Sequence, residues 1–301
     1  MNDIKQDNLI FKIFPSFTHA YISLMRLDRP IGFLLLFYPI SFSLVSQGNY
    51  DYELLKYFIL FFIGSVVMRS AGCIINDILD KKIDEKVKRT QSRPLASSKL
   101  SIFKAYVTLA TLLLVGLIIL INLNTPSIIL GLIIIPLVVL YPLAKRFFAL
   151  PQLILAMTYN WGCMIGWVTI NSPYNFNNIF ILYVSLIIWT IVYDTIYAVQ
   201  DQDDDRKMNL YSSAILFGSK KSLILNALIV TQYFLLIVFG SKMDYGITFY
   251  AIIVLISLLN LGDINFLWKN EAKKSGLYFK RNNYYGFLIL LSIIVGSQFN
   301  V

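Results

Sequence analysis

From about residue 25 to residue 300 the sequence is a succession of nine apolar runs, each long enough to cross a bilayer. They lie at roughly 31–46 (with a start nearer 25), 55–79, 102–121, 126–144, 152–171, 178–200, 221–241, 246–268 and 284–300. A hydrocarbon slab about 30 Å thick takes about 20 helical residues. Inside it every backbone N–H and C=O needs an internal partner, which leaves only helix bundles and closed barrels. The runs are continuous and do not alternate, so a β-barrel is disfavoured. With 57% hydrophobic and 14% charged residues the chain is also too apolar for a soluble domain. The expected fold is an all-α integral membrane protein, a bundle of about nine transmembrane helices in one domain over residues 1–301.

A formal charge of +9 raises nucleic acid as a partner, but the placement of the charge points to the lipid bilayer instead. With the N-terminus inside, all but Lys56, Arg69 and Lys242 of the 26 basic residues fall on inner segments, the positive-inside pattern. The long connections, 80–101 and 202–220, are on that inner side, where lids and binding loops are expected. Outer turns such as 122–125 and 172–177 are short. A third inner segment, 269–283, is basic with Tyr278 and Phe279, and is expected to lie at the headgroup surface. Cys73 and Cys163 lie in apolar runs without metal-ligand spacing, so packing roles are expected, and His19 has no Cys or second His nearby. Residues 1–20 show no short apolar core, so no removable signal is expected.

Two of the runs end in acids. Asn76, Asp80 and Asp84 stand four residues apart in Arg69-Ser-Ala-Gly-Cys-Ile-Ile-Asn-Asp-Ile-Leu-Asp-Lys-Lys-Ile-Asp84, so on a helix they stack along one face. Like charges at that spacing repel, and an oxygen-seeking divalent ion would relieve them, Mg2+ being favoured beside phosphate. The alternative is the wet end of a helix. In the second stretch Asp194 lies inside an apolar run, with Asp201 and Asp205 on the same face. An Asp within a span costs about 3 kcal/mol to insert, so it normally faces a bundle interior or a cavity and marks function. Two such ladders could make one metal site.

The basic residues next to the ladders fit a diphosphate. Lys88-Arg89 and Arg93 follow the first, Lys145-Arg146 follow the fourth run, and Arg206-Lys207 follow the second ladder. Together with a metal they could clamp a diphosphate leaving group. The alternative for each, favoured for Lys81, Lys82 and Lys207, is a topology determinant at the headgroups. A metal-diphosphate site at the mouth of an apolar bundle suits a lipid diphosphate, whose allylic cation a dry cavity would protect and an aromatic face would stabilise. Tyr197 and Trp161 are candidates for that face. Arg69, two turns before Asn76, needs an anionic neighbour at its depth: either Asp194 or a ligand carboxylate. Arg26 is a second candidate for ligand contact, although with Asp28 it can merely tie down the start of the first helix.

These residues resemble the motifs of the UbiA superfamily of intramembrane prenyltransferases, and within it the branch that prenylates 4-hydroxybenzoate for ubiquinone biosynthesis. The matching pieces are Leu24-Met-Arg-Leu-Asp-Arg-Pro-Ile-Gly32, Met68-Arg-Ser-Ala-Gly-Cys-Ile-Ile-Asn-Asp77, Arg89-Thr-Gln-Ser-Arg-Pro-Leu-Ala96, Tyr141-Pro-Leu-Ala-Lys-Arg146, Asp194-Thr-Ile-Tyr-Ala-Val-Gln-Asp201 and Ala214-Ile-Leu-Phe-Gly218. The resemblance implies nine helices around a central cavity, with Mg2+ between the aspartate motifs. Asn76, Asp80, Asp84, Asp194, Asp201 and Asp205 would bind metal-diphosphate, with Asp77 completing that set in support. Arg93, Lys145 and Arg146 would touch the diphosphate and Arg69 the aromatic acid. Some members carry a further acid where this chain has Ala198, which leaves the second motif's ligand count open.

The implied reaction joins a polyprenyl diphosphate to the ring, with Asp194 either removing the ring proton or polarising the phenol. Loops 80–101 and 202–220 would cover an active site facing the cytoplasm at a bacterial inner membrane, or belong to a mitochondrial inner-membrane protein. Naphthoate, homogentisate or haem are alternative acceptors. A cation- or proton-coupled transporter is the alternative of another class, but it should scatter polar groups through the whole depth of the membrane, whereas here only Arg69 and Asp194 go deep.

Overall fold

Long apolar runs can satisfy their backbones in lipid only as helices, and in the computed structural model, which describes residues 9–87, 89–170, 176–268 and 271–298, every regular element is helical. The principal helices are α1 (Ile31–Val45), α2 (Tyr52–Leu79), α3 (Ile102–Ile121), α4 (Thr125–Ile133), α5 (Ile135–Ala144), α6 (Pro151–Asn160), α7 (Gly162–Ile170), α8 (Phe176–Ala198), α9 (Lys221–Lys242), α10 (Ile247–Trp268) and α11 (Glu271–Gln298). Lys88 of the basic run and most of the outer turn 172–177 lie outside the described residues.

The expectation of nine spans is met by seven among the described residues, α4–α5 and α6–α7 each counting as one and α8 running on through Lys207. The first run forms a helix of only 15 residues, about 22 Å long. It begins at Ile31 and not near 25, for a local reason. A short helix ends at Leu24, Arg26 takes a left-handed φ of 58°, and Pro30 biases the residue before it away from the helical region. Two more runs break internally. Ile134 interrupts α4–α5 just before Pro136, and Trp161 interrupts α6–α7.

The chain forms two compact units, residues Met1–Leu34 with Leu60–Asn122, and Leu35–Ile59 with Leu123–Val301. In the first, Leu24, Ile74, Leu95, Leu100 and Ala105 make a buried core, with Tyr21, Met25 and Ile78 against it. The connection 80–101 is thereby nailed to the helices it joins.

In the second unit α8 is central, packing on α6, α7, α9 and α11, with Leu182, Leu186, Trp189 and Val192 fully buried. Part of α1 lies in the same unit, where Gly162 and Gly166 of α7 meet it. A β-carbon at Gly162 would fall 2.4 Å from Ile40, and one at Gly166 2.4 Å from Ser43 Oγ and 3.0 Å from the Ile40 carbonyl. Small residues four apart let membrane helices approach this closely. Buried hydrogen bonds also tie its helices together: Trp189 donates to Asn282 Oδ1 at 2.8 Å, and Ser185 to the Gln232 carbonyl at 3.0 Å.

The basic segment 269–283 does not simply lie at the headgroup surface. From 271 it is the start of α11, and Ser275, Tyr278, Asn282, Tyr285 and Ile289 are buried at helical spacing. Tyr278 donates to Asn260 Oδ1 at 2.6 Å, which anchors α11 to α10.

Candidate active site

The first acidic ladder has the expected local geometry. The Asp80 amide donates to the Asn76 carbonyl at 2.9 Å and the Asp84 amide to the Asp80 carbonyl at 2.8 Å. Two successive i to i+4 bonds stack the three residues, although α2 itself ends at Leu79 and a single further turn, Lys81–Asp84, follows. Asp80 and Asp84 are 3% and 6% exposed, so neither is a merely wet helix end. Asn76 is half-buried.

Asp77 faces a different set of neighbours. Both its oxygens accept from Arg26 Nη2, at 2.8 and 2.9 Å, and Oδ1 also accepts from Arg93 Nη1 at 3.1 Å. Arg93 reaches on to Asp84 Oδ2 at 2.9 Å. Arg26, which also donates to the Ser23 carbonyl, is thus engaged by Asp77, while Asp28 pairs with Arg29 at 3.2 Å. The structure therefore joins Arg26, Asp77, Arg93 and Asp84 into one network. Burial pushes the Asp84 carboxyl above the ordinary carboxylate range, against the pull of Arg93 and with a further push from the Asp77 charge. Arg69 lies on α2 in the same unit, half-buried, its guanidinium close against Gly32.

In the second unit α8 carries Asp194 and Tyr197, both half-buried, and passes through a tight turn, Val199–Asp201, into the short helix Gln202–Lys207 that bears Asp205. A 3₁₀ turn advances about 120° per residue where an α-helix advances about 100°. Those three residues therefore rotate Asp201 and Asp205 by about 60° relative to an unbroken helix, a shift the sequence spacing does not reveal. The following connection is tied down: the Tyr211 amide donates to the Lys145 carbonyl at 2.8 Å and the Ser213 amide to Gln152 Oε1 at 2.8 Å. This brings half-buried Lys145 beside the loop after the second ladder, and Arg146, next in the chain, is exposed.

Sequence reasoning missed Phe279. Its ring centroid is 4.7 Å from that of Tyr197 and 5.7 Å from that of Tyr193, so α11 supplies an aromatic wall next to the tight turn. Gly276 of the same helix lies against the Gln200 side chain. The 3–4 residue spacing of Ser275, Tyr278 and Asn282 was the available signal. Trp161 instead donates to the Leu130 carbonyl at 2.9 Å and packs edge-on against Tyr183, so its indole serves packing.

Among the described residues no three His, Cys, Asp or Glu side chains gather into a ready-made cation cage. Mg2+ does not need one, since it takes one or two carboxylates and completes its shell with water and phosphate oxygens. Asn76, Asp80 and Asp84 offer only oxygen and amide donors, on one face and with two carboxylates nearly buried, and so fit such an ion. Asp77, with both oxygens on arginines, fits a supporting role.

The chain matches the UbiA prenyltransferase family over residues 34–288. It is 38% identical to the mitochondrial 4-hydroxybenzoate polyprenyltransferase of Drosophila melanogaster over 281 residues, 92% of this chain and 71% of that protein. It is 39% identical to the 4-hydroxybenzoate octaprenyltransferase of Francisella tularensis subsp. tularensis (strain FSC 198) over 279 residues, 92% of this chain and 96% of that one. Among solved structures, the apo UbiA homolog from Aeropyrum pernix K1 superposes with a TM-score of 0.71 at 26% identity, covering 87% of this chain and 97% of that one. A UbiA homolog from Archaeoglobus fulgidus bound to GPP and Mg2+ shares the fold, with a TM-score of 0.68 at 17% identity over 90% of this chain and 99% of that one.

Proposed function

Since the chain belongs to the UbiA prenyltransferase family, we propose that it is a multi-pass membrane enzyme that transfers a polyprenyl group from a polyprenyl diphosphate to 4-hydroxybenzoate. The new bond forms ortho to the phenolic OH and meta to the carboxylate, diphosphate is released, and the product serves ubiquinone biosynthesis. The acceptor is supported by relatives of that name in insects, a plant and bacteria, at 34–39% identity over more than nine-tenths of this chain. The observation that carries the chemistry is the stacked Asn76, Asp80 and Asp84 ladder, which buries two carboxylates one above the other at the end of a span, where acidic groups are costly and mark function.

In this reading the residues act as follows. Asn76, Asp80 and Asp84, with Asp194, Asp201 and Asp205, hold the metal-diphosphate, and Asp77 supports them by fixing Arg26 and Arg93. Mg2+, when bound, would neutralise the charge that gathers on the departing diphosphate. Arg93, Lys145 and Arg146 bind the diphosphate oxygens as the C–O bond of the donor breaks and its electron pair leaves with them. Tyr197 presents its ring to the allylic cation. Arg69 binds the carboxylate of the acceptor, and Arg26, steadied by Asp77, is the second arginine on the substrate side. The ring carbon beside the phenol then forms the new C–C bond, and Asp194 takes the displaced ring proton. Connections 80–101 and 202–220 cover the site from the cytoplasmic side in a single transferase domain, in a bacterial inner membrane or, as for the mitochondrial relatives, in an organelle.

The test is to incubate the purified protein with a prenyl diphosphate, Mg2+ and a panel of aromatic acceptors, and to identify products by mass. The expected product is prenylated 4-hydroxybenzoate, lost with EDTA and restored by Mg2+. A preference for naphthoate, homogentisate or haem would move the chain to a sibling activity, and no prenylated product from any acceptor would overturn the reading.

A further inference from the structure

Gly32 is the second residue of α1, and its φ is not in the left-handed region. The backbone there is open to any residue, and glycine inside a helix costs about 1 kcal/mol relative to alanine. Something other than the backbone therefore keeps the position small. A β-carbon at residue 32 would sit 2.9 Å from Arg69 Nε and 3.6 Å from Arg69 Cζ and Nη2, and these are its three nearest neighbours. All three atoms belong to the guanidinium, and Arg69 Nε has no measurable contact with solvent. The planar group occupies the space a side chain at residue 32 would take.

We infer that Gly32 is a positioning residue for acceptor recognition: its missing side chain sets where the Arg69 guanidinium lies, and hence how an aromatic carboxylate is bound. The inference rests on the proposed reading of Arg69 as the group that meets the acid. The other arginine considered for that task, Arg26, is held through one nitrogen by both oxygens of Asp77. A carboxylate is best met by a guanidinium in a fixed plane, through two parallel N–H donors. A methyl group at residue 32 would displace that plane by some tenths of an ångström without removing the charge. The predicted effect is therefore on affinity for the acid and not on the chemical step.

The experiment compares wild type, Gly32→Ala, Arg69→Ala and the double variant in the transfer assay, with 4-hydroxybenzoate and its methyl ester as acceptors and the prenyl diphosphate varied separately. Gly32→Ala is expected to raise KM for the acid about tenfold, with kcat and the KM for the donor within about twofold. The preference for acid over ester should shrink by the same factor, and Gly32→Ala should add nothing in the Arg69→Ala background. If Arg69→Ala leaves KM for the acid unchanged, the reading of Arg69 fails, and this inference with it. If Arg69→Ala raises that KM while Gly32→Ala does not, only the inference fails. Should Gly32→Ala lower thermal stability, the double variant decides: stability restored by Arg69→Ala supports the steric link, and stability still lost overturns it.

Discussion

Replacing Asp77 by Asn should unfold the first unit more readily than any other single-charge change in the acidic ladder. The substitution keeps shape and removes the charge from a carboxylate that is 2% exposed and accepts from Arg26 at 2.8 and 2.9 Å and from Arg93 at 3.1 Å. Breaking a buried pair by removing one partner costs about 3–5 kcal/mol, because the remaining charge stays buried. Here both arginine side chains keep 11–13% of their surface, so water reaches them in part, and the Asn oxygen still accepts one bond. The loss should fall near the low end, about 3 kcal/mol. The measurement is an SDS titration in detergent micelles, followed by far-UV circular dichroism, on Asp77→Asn, Arg26→Gln and the pair together. The coupling in the double-mutant cycle should be about 2 kcal/mol. A single variant within about 0.5 kcal/mol of wild type, or losses that simply add, would refute the reasoning.

Asp80→Ala should insert and fold but lose Mg2+-dependent transfer, and substantial remaining turnover would remove Asp80 from the ligand set. Gly166→Leu must force α7 away from Ser43 and the Ile40 carbonyl, an overpacking worth about 1–3 kcal/mol; an unchanged unfolding midpoint would show that the crossing is not tight. Phe279→Ala removes two ring contacts, to Tyr193 and Tyr197, each worth about 0.5–1.5 kcal/mol beyond area, so a loss of about 2 kcal/mol is expected in the same titration. A change under about 0.5 kcal/mol would mean that Phe279 does not brace the tight turn.

What the sequence disclosed and what it hid divide by range. The Asn76, Asp80 and Asp84 stack follows from helical spacing alone, and the spacing holds because the i to i+4 bonds continue through Asp80 although α2 ends at Leu79. Across Val199–Asp201 the same rule slips, because a turn of 3₁₀ winding leaves no mark in the spacing of the acids. The start of the first helix reads too early from sequence, because the apolar Leu24, Met25 and Leu27 mask the stop at Arg26 and Pro30. The burial of Tyr278 is hidden by charge: five basic residues at 269–281 give the segment the composition of a surface, although Ser275, Tyr278 and Asn282 are buried. The Arg26–Asp77 pair joins residues 51 positions apart, and nothing local could announce it. Gly162 and Gly166 were visible as a four-residue spacing, but their partner on α1 was not.

Leu95 and Leu100 share their core with Leu24 and Ile74, so the segment bearing Arg93 is not a module that can be exchanged alone. A chimera that borrowed residues 86–100 from a relative would import the arginine yet orphan the leucines, unless residues 20–25 travelled with it. Diversification of substrate preference in this region should accordingly proceed by paired changes at positions seventy residues apart in the chain, and a library that randomises the loop by itself would mostly sample misfolded proteins.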